Sequence, residues 1–387
     1  MNYQTHSKQR WVGRTLVETY INDFGEPLEG IVKDIQHGNL YIVSNVGTSL
    51  PSESLKGLDI LSQRKVESKD VIHHLKHKHE PAIPWSSKIS VVFENDEIIV
   101  VDKPSGVPTH PSGNYMFNSL SEIVKEMYGF DSIWTCHRLD KVTSGVLILC
   151  KSRESAIKFS NLLQDKKNRV KKVYLARVKG EFPPGEQVYN CPVFAVNMNG
   201  YLQPGDLENV QADTTTVFER MVYSQELNES IVKCQPISGK FHQIRIHLRN
   251  LGYPISNDHF YNPIEASKTY FAKSNLETLL YKMLFQRYPQ FKDMAPPGSP
   301  ISAPKTLDLL NIINWNSDSK IKEQLIELKQ SHSMDLKSRK STTCEECGRP
   351  LFDEDHVTHF SIYLHAWRFE YDDKCFKTKL PPWTQIS

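Results

Sequence analysis

The chain has 387 residues, 39% of them hydrophobic and 24% charged, too long for one ordinary domain and too apolar for wholesale disorder. Lys and Arg total 47 against 45 Asp and Glu, a formal charge of +2, so bulk charge gives no argument for a polyanionic partner. No apolar run approaches the ~18 residues of a membrane helix, and the opening MNYQTHSKQR holds no apolar stretch, which speaks against a membrane-spanning protein and a secretory leader. Seven cysteines, an odd number, point to a reducing compartment such as the cytoplasm. The start is free of acid up to Glu18 and carries Lys8, Arg10 and Arg14, which adds the character of a mitochondrial address.

Val12, Leu16, Tyr20 and Phe24, with Val17 and Ile21 beside them, repeat at helical spacing up to Gly25-Glu26-Pro27. An apolar step at Ile31-Val32, a turn at His37-Gly38-Asn39, a strand at Leu40–Val43 and the run Leu58-Asp59-Ile60-Leu61 follow. This order resembles a shortened S4-like RNA-binding module over residues 1–68. Its basic second helix is thin, Lys33 standing beside Asp34, and a small structural domain is the alternative. Residues 69–88 read as a connector containing His73, His74, His77 and His79. Their spacing changes parity and no cysteine lies nearby, so the expectation is an exposed basic strand meeting RNA or water rather than a metal site.

From Ile89 the pattern turns to β. Ile89–Phe93 and Ile98–Val101 flank Glu94-Asn95-Asp96-Glu97, a hairpin signal. Lys103-Pro104-Ser105-Gly106 opens a loop, Asn118–Met127 is a predicted helix capped by Ser119 or Asn118, and Val146–Cys150 is a buried strand. A helix over Ser152–Leu163 and strands over Val173–Lys179, Ile231–Pro236 and Tyr363–Phe369 complete the frame. Residues 263–343 carry helical periodicity at Leu276–Leu284 and Ile321–Leu328, split by Pro296-Pro297-Gly298-Ser299-Pro300. They read as an insertion, mobile at its polar end.

Charge is segregated along this frame. Cys136–Gly180 holds twelve Lys and Arg against three acids, and Lys233–Arg249 adds four bases, two histidines and no acid. A basic centre is the footprint of a phosphate backbone, although a charge run alone is more often a solvated face. Three segments stand inside or beside it: His137-Arg138-Leu139-Asp140-Lys141-Val142-Thr143-Ser144-Gly145; Lys171-Lys172-Val173-Tyr174-Leu175-Ala176; and Ser238-Gly239-Lys240-Phe241-His242-Gln243-Ile244-Arg245-Ile246-His247-Leu248 with Asp258-His259-Phe260-Tyr261. In order and spacing, with the K-P-S-G loop upstream and Leu364–Trp367, Phe376 and Leu380–Trp383 downstream, they resemble the RluA-type pseudouridine synthases. The resemblance covers about residues 89–383 apart from the insertion, and H-R-L-D-x-x-T-S-G is its most specific part.

The chemistry of the residues agrees with that resemblance. Uridine isomerisation breaks the N1–C1′ bond and remakes it through C5, which needs one carboxylate near C1′ and no redox or group-transfer cofactor. Asp140, in a turn before a buried strand and among bases, is suited to attack C1′, to stabilise positive charge there, or to take a neighbouring sugar proton. The resemblance implies that Arg245 pairs bidentately with Asp140, that Tyr174 stacks on the uracil or helps remove the C5 proton, and that Arg138 fills the space of a flipped base. Gln243 and Arg245 are expected on one strand face, with Ile244 and Ile246 on the other. His137, Lys103, Thr143 and Gln243 are candidate substrate contacts, and Lys166, Lys167, Arg169, Lys171 and Lys172 a candidate backbone-binding edge.

Cys344-Glu345-Glu346-Cys347-Gly348 is a C-x-x-C with a turn glycine. His356 and His359, or Cys375, could complete a zinc site there, and two reduced thiols in a loop are the plainer alternative. The expectation is an α+β catalytic domain with a mixed, mainly antiparallel sheet after a small S4-like domain, monomeric and without a cofactor. It would act on structured RNA, most closely resembling the fungal branch that modifies tRNA at position 31 or 32. Ribosomal or small nuclear RNA are the alternative substrates, and an RNA-folding chaperone is a competing class. A glycosidase would want a second carboxylate.

Overall fold

The computed structural model describes residues 2–386 apart from 25, 27, 85–87, 165–169, 195, 197–213, 263–267, 295–318, 339–341, 346, 348–350 and 353–360. It divides into two units, residues 1–79 with 345–347, and residues 80–344 with 348–387. No helix among the described residues is long and apolar enough to cross a membrane.

The first unit runs β1 (Asn2–His6), α1 (Leu16–Phe24), α2 (Leu28–Gln36), β2 (Leu40–Ser44), β3 (Glu53–Leu55), α3 (Leu58–Leu61) and β4 (Val71–Leu75). Its strands form an antiparallel sheet in the order β1-β4-β2-β3. Leu16 and Tyr20 on α1, and Ile31 and Ile35 on α2, stand four residues apart, one turn of a helix, and so share a face. They close on Leu40, Ile42 and Ile72 of the sheet. The stretch 69–88, read as a connector with exposed histidines, instead supplies an inner strand of this sheet. His74 is buried there because both ring nitrogens find partners, Tyr20 Oη at 3.1 Å and Asp34 Oδ2 at 2.8 Å. A polar ring satisfied in this way can occupy a core position.

The second unit runs β5 (Ser90–Glu94), β6 (Ile98–Lys103), α4 (Leu120–Tyr128), β7 (Trp134–Thr135), β8 (Ser144–Cys150), α5 (Arg153–Gln164), β9 (Val170–Lys179), β10 (Glu186–Asn190), β11 (Thr215–Ser224) and β12 (Glu229–Pro236). After these come α6 (Gln243–Asn250), α7 (Lys268–Arg287), α8 (Ser319–Ser338), β13 (Leu364–Tyr371) and β14 (Lys374–Lys377). The strands build one sheet, β10-β11-β12-β9-β13-β8-β6-β5, with β14 on β13 and β7 on β8. Every pairing is antiparallel except β13 with β8, so the fold is α+β on a mixed, mainly antiparallel sheet.

Residues 146–150 are apolar throughout because β8 is covered on both faces. Leu147 and Leu149 pack with Leu120, Ile123 and Val124 of α4, while Val146, Ile148 and Cys150 pack with Ala156 and Phe159 of α5. Gly145, where β8 meets β13, has φ +113°, and a Cβ there would lie 2.2 Å from the Ala366 carbonyl oxygen. That contact explains the glycine ending the T-S-G run. The 263–343 segment is more than an appendage: Leu276, Leu280 and Leu284 of α7, with Ile321 and Leu328 of α8, enter the same core as β9, β11 and β12. The Pro296–Pro300 break lies outside the described residues.

Residues 243–250, read as a strand, form a helix. The alternation of polar and apolar residues misleads because Gln243, Ile244, Arg245, Ile246, His247 and Leu248 are all buried. Polar members survive there by pairing. His247 bonds Thr216 Oγ1 and the Cys191 carbonyl at 2.9 and 2.8 Å, and the other two are described below.

Candidate active site

Residues 136–143, between β7 and β8, carry Asp140 into a cavity of about 480 Å³. Tyr174 and Lys172 of β9, the turn 238–241 and the start of α6 complete its wall. Asp140 is the only carboxylate among the described lining residues, against Arg138, Lys172, Lys240 and Arg245.

The turn bearing Asp140 is held through its own backbone. Five successive carbonyls, from Leu139 to Thr143, each accept a hydrogen bond. Thr109 Oγ1 donates to Leu139 at 2.9 Å, the Thr143 N–H to Asp140 at 3.1 Å, and the Gly106 N–H to Lys141 at 2.7 Å. Ser105 Oγ donates to Val142. Lys103 Nζ donates to Lys141 and Thr143 at 3.1 and 2.8 Å, and to Pro104 at 2.8 Å. The K-P-S-G loop therefore clamps the turn, fixing a reactive group before substrate arrives. Burial pushes the Lys103 ammonium down to about 7 while Asp140 pulls the other way. Lys103, expected to contact substrate, does not line the cavity.

Arg245 departs from its expected pairing. Its bidentate partner is Asp258, with Nε to Oδ2 at 2.7 Å and Nη2 to Oδ1 at 2.8 Å, and only Nη1 reaches Asp140 Oδ2, at 3.4 Å. Asp258 Oδ1 also accepts the Phe260 N–H at 2.9 Å, so the Asp258–Tyr261 turn is folded around this carboxylate. Burial acts to lower the Arg245 pKa, but Asp258 and then Asp140 raise it, so the guanidinium stays charged. One cation thus bridges a structural carboxylate and the one in the cavity.

A second line of groups reaches Asp140 from α7. Lys273 Nζ donates to Glu277 at 2.7 Å and to Tyr261 Oη at 3.1 Å, and Tyr261 Oη lies 2.8 Å from His242 Nδ1. His242 Nε2 stands 3.6 Å from Asp140 Oδ2. Burial, then Arg245 and Lys273, hold the His242 pKa well below its usual value, so the ring is neutral. With the Tyr261 hydroxyl donating to Nδ1, the single ring N–H sits on Nε2 and faces the carboxylate. His242 itself has φ +50° at the head of α6.

The remaining expected residues fall into three groups. Arg138 is exposed at the cavity, and Tyr174 lines it with its hydroxyl pKa raised by burial and by Asp140. Thr143 and Lys172 also line it, the Lys172 ammonium lowered by burial. His137 and Gln243 line it but turn their polar atoms to the fold. His137 Nε2 accepts the Ile148 N–H at 3.0 Å. Gln243 Oε1 accepts from Ser238 Oγ and the Lys240 N–H, while Nε2 donates to the Thr215 carbonyl and Thr216 Oγ1. All four of its bonds are used, which makes it a positioning residue for the 238–240 turn. Lys171 is exposed on β9 outside the cavity lining, and Lys166, Lys167 and Arg169 lie outside the described residues. Sequence reasoning missed Asp258, His242, Tyr261 and Lys273. The first three belong to the H-Q-I-R and D-H-F-Y runs, but nothing in linear order links them to Asp140.

A single clamped carboxylate among Arg138, Lys172, Lys240 and Arg245 suits an enzyme that works with one acid group on an anionic substrate. The RNA pseudouridylate synthase family model matches residues 97–250. The chain is 28% identical to a Saccharomyces cerevisiae tRNA pseudouridine(31) synthase, over 98% of this chain and 92% of that one. It is 29% identical to that yeast's mitochondrial tRNA pseudouridine(32) synthase, over 98% of this chain and 74% of that one. It is 27% identical to the Mus musculus pseudouridylate synthase RPUSD2, over 99% of this chain and 70% of that one. The chain belongs to the RNA pseudouridylate synthase family.

Proposed function

We propose that the enzyme isomerises a uridine of the tRNA anticodon stem-loop, at position 31 or 32, with Asp140 as the catalytic carboxylate. The observation that carries the chemical part is that Asp140 is the sole acid among the described cavity residues, held by the 139–143 clamp and touched by Arg245. The substrate part rests on the two yeast relatives. One of them is named as mitochondrial, while the seven cysteines suit a reducing compartment such as the cytoplasm.

In this reading the target uridine leaves the stack, at a cost of a few kcal/mol, and enters beside Tyr174. Arg138, exposed at the mouth, takes the vacated space. Lys172 and Lys171, continuing the basic run from Lys166, Lys167 and Arg169, follow the phosphates, and the first unit serves as an S4-like accessory to RNA binding in a monomeric protein. The C5 hydrogen of uridine is lost as C5 bonds to C1′, and N1 gains a proton, so no co-reactant is required.

The test is to incubate the purified chain with a panel of tRNA transcripts and map pseudouridine by chemical labelling. Modification at position 31 or 32 is expected. Modification of ribosomal or small nuclear RNA with no tRNA product would overturn the substrate assignment. Undiminished activity in Asp140→Ala would overturn the catalytic one.

A further inference from the structure

Beyond β4 the chain of the first unit continues through His77 and His79, and the segment 345–347 packs with residues 1–79 as part of the same unit. There His79 Nε2 lies 3.3 Å from Cys347 Sγ, across 268 residues of sequence. The His77 and His79 rings stand 4.6 Å apart, centroid to centroid. One ligand atom from each of His77, His79, Cys347 and Cys344, the other cysteine of the C-x-x-C, lies within 4.8 Å of the rest.

We infer that His77, His79, Cys344 and Cys347 form a structural zinc site of the Cys₂His₂ type. Zinc–sulfur and zinc–nitrogen bonds of about 2.3 and 2.0 Å in a tetrahedron put ligand atoms ~3.3–3.8 Å apart. The His79–Cys347 separation already has that value, and the widest permitted pair needs to close by only about 1 Å. Two soft sulfurs and two imidazoles, with no oxygen donor in the set, select zinc over calcium or magnesium. Binding converts two thiols to thiolates, releases two protons and leaves a neutral centre, so the ion needs no further counter-charge.

Neither half is persuasive alone. Two histidines at i, i+2 in an irregular segment after a strand are ordinary, and a C-x-x-C in a polar loop is often a pair of thiols. Their convergence from opposite ends of the sequence is what points to an ion. His356 and His359, the histidines expected to complete the cysteine pair, lie outside the described residues, and Cys375 is exposed on β14. None of the four ligands lines the catalytic cavity. Four protein ligands leave no open position for a reacting water, which makes the site structural. It acts as a clip closing a very long loop, the case in which such a tie restrains the unfolded chain most. The inference stands apart from the tRNA assignment and needs no activity to test it.

The experiment uses the full chain, purified without a histidine tag from zinc-supplemented cells and dialysed. Elemental analysis is expected to find one zinc per chain. Titration with a mercurial in the presence of a zinc-responsive dye should release that zinc as two thiols react. Cys347→Ser and the double variant His77→Ala/His79→Ala should each lose the metal, while Cys375→Ser keeps it. Because such variants can unfold, the wild-type chain grown with cobalt supplies a second readout, the thiolate-to-cobalt charge-transfer bands of a tetrahedral sulfur site. A wild-type chain free of zinc, cobalt-grown protein without those bands, or full zinc retention in the double histidine variant would overturn the site.

Discussion

Asp258→Asn isolates what the buried ion pair contributes. The side chain keeps its size, and its Oδ1 still accepts from the Phe260 and Tyr261 N–H groups. Its new amide hydrogens, however, oppose the guanidinium, whose side chain is only 1% exposed. Leaving a buried charge unpaired costs about 3–5 kcal/mol, a large share of the roughly 5–15 kcal/mol that holds a domain together. The rate should fall too. Arg245 is left with Asp140 as its partner, now 3.4 Å away, and a carboxylate drawn toward it by a fraction of an ångström is misaligned for C1′. A displacement approaching 1 Å costs about a hundredfold. Pairing Arg245→Met with Asp258→Asn separates the two effects, because no buried charge is then left unpaired while Oδ1 keeps its two N–H donors. Stability should return in part while the rate does not, since Asp140 then lacks the guanidinium that touches it. Urea unfolding followed by tryptophan fluorescence gives the first quantity, and single-turnover release of tritium from C5-labelled RNA gives the second. Wild-type stability in Asp258→Asn, or recovered turnover in the double variant, would refute this account.

Asp140→Asn should slow isomerisation at least about a thousandfold with RNA affinity changed only a few-fold, as measured by turnover and binding of one tRNA. Gly145→Ala should destabilise by more than about 4 kcal/mol, since its methyl collides with the Ala366 carbonyl; ordinary expression and melting would contradict the packing at that joint. Lys273→Met should lower the single-turnover rate about tenfold or more with unchanged RNA binding and partial recovery in Lys273→Arg, because it heads the line through Tyr261 and His242. Burial holds His137, His247 and His365 neutral, down to about 3, 4 and 4. Below pH ~6.5 the unfolded chain gains protons that the folded one refuses, so stability, full above that pH, should fall on acidification toward pH ~4 by about 1.4 kcal/mol per histidine per pH unit. Equal urea midpoints at about pH 7 and pH 5 would dispose of it.

What could be read from the sequence follows from how local each signal is. Val146–Cys150 declares itself because five apolar residues in a row fit a strand covered on both faces. The H-R-L-D turn declares itself because it runs straight into that strand. Helix α6 was hidden: Gln243, Arg245 and His247 are buried among satisfied partners, so alternation of polarity there records pairing and not exposure to water. The same holds for His74, whose partners Tyr20 and Asp34 belong to other elements. The bidentate role of Asp258 and the approach of His77 and His79 to the cysteine pair are decided by chain crossings that no spacing encodes.

The position of β13 has a consequence for synthesis. It lies between β8 and β9, and its His365 bonds Ser144, 221 residues earlier, through Nδ1 at 2.8 Å. Until that strand leaves the ribosome, the strand bearing Tyr174 presents an unpaired edge, and so does the start of the strand following Asp140. At roughly 5–20 residues per second, the wait lasts some ten to forty seconds. Open edges of this kind recruit other chains, and a sheet closed by so distant a partner folds slowly. The nascent enzyme is therefore both inert and adhesive for most of its translation, and its yield in cells should depend on chaperone supply more than on the strength of its finished core.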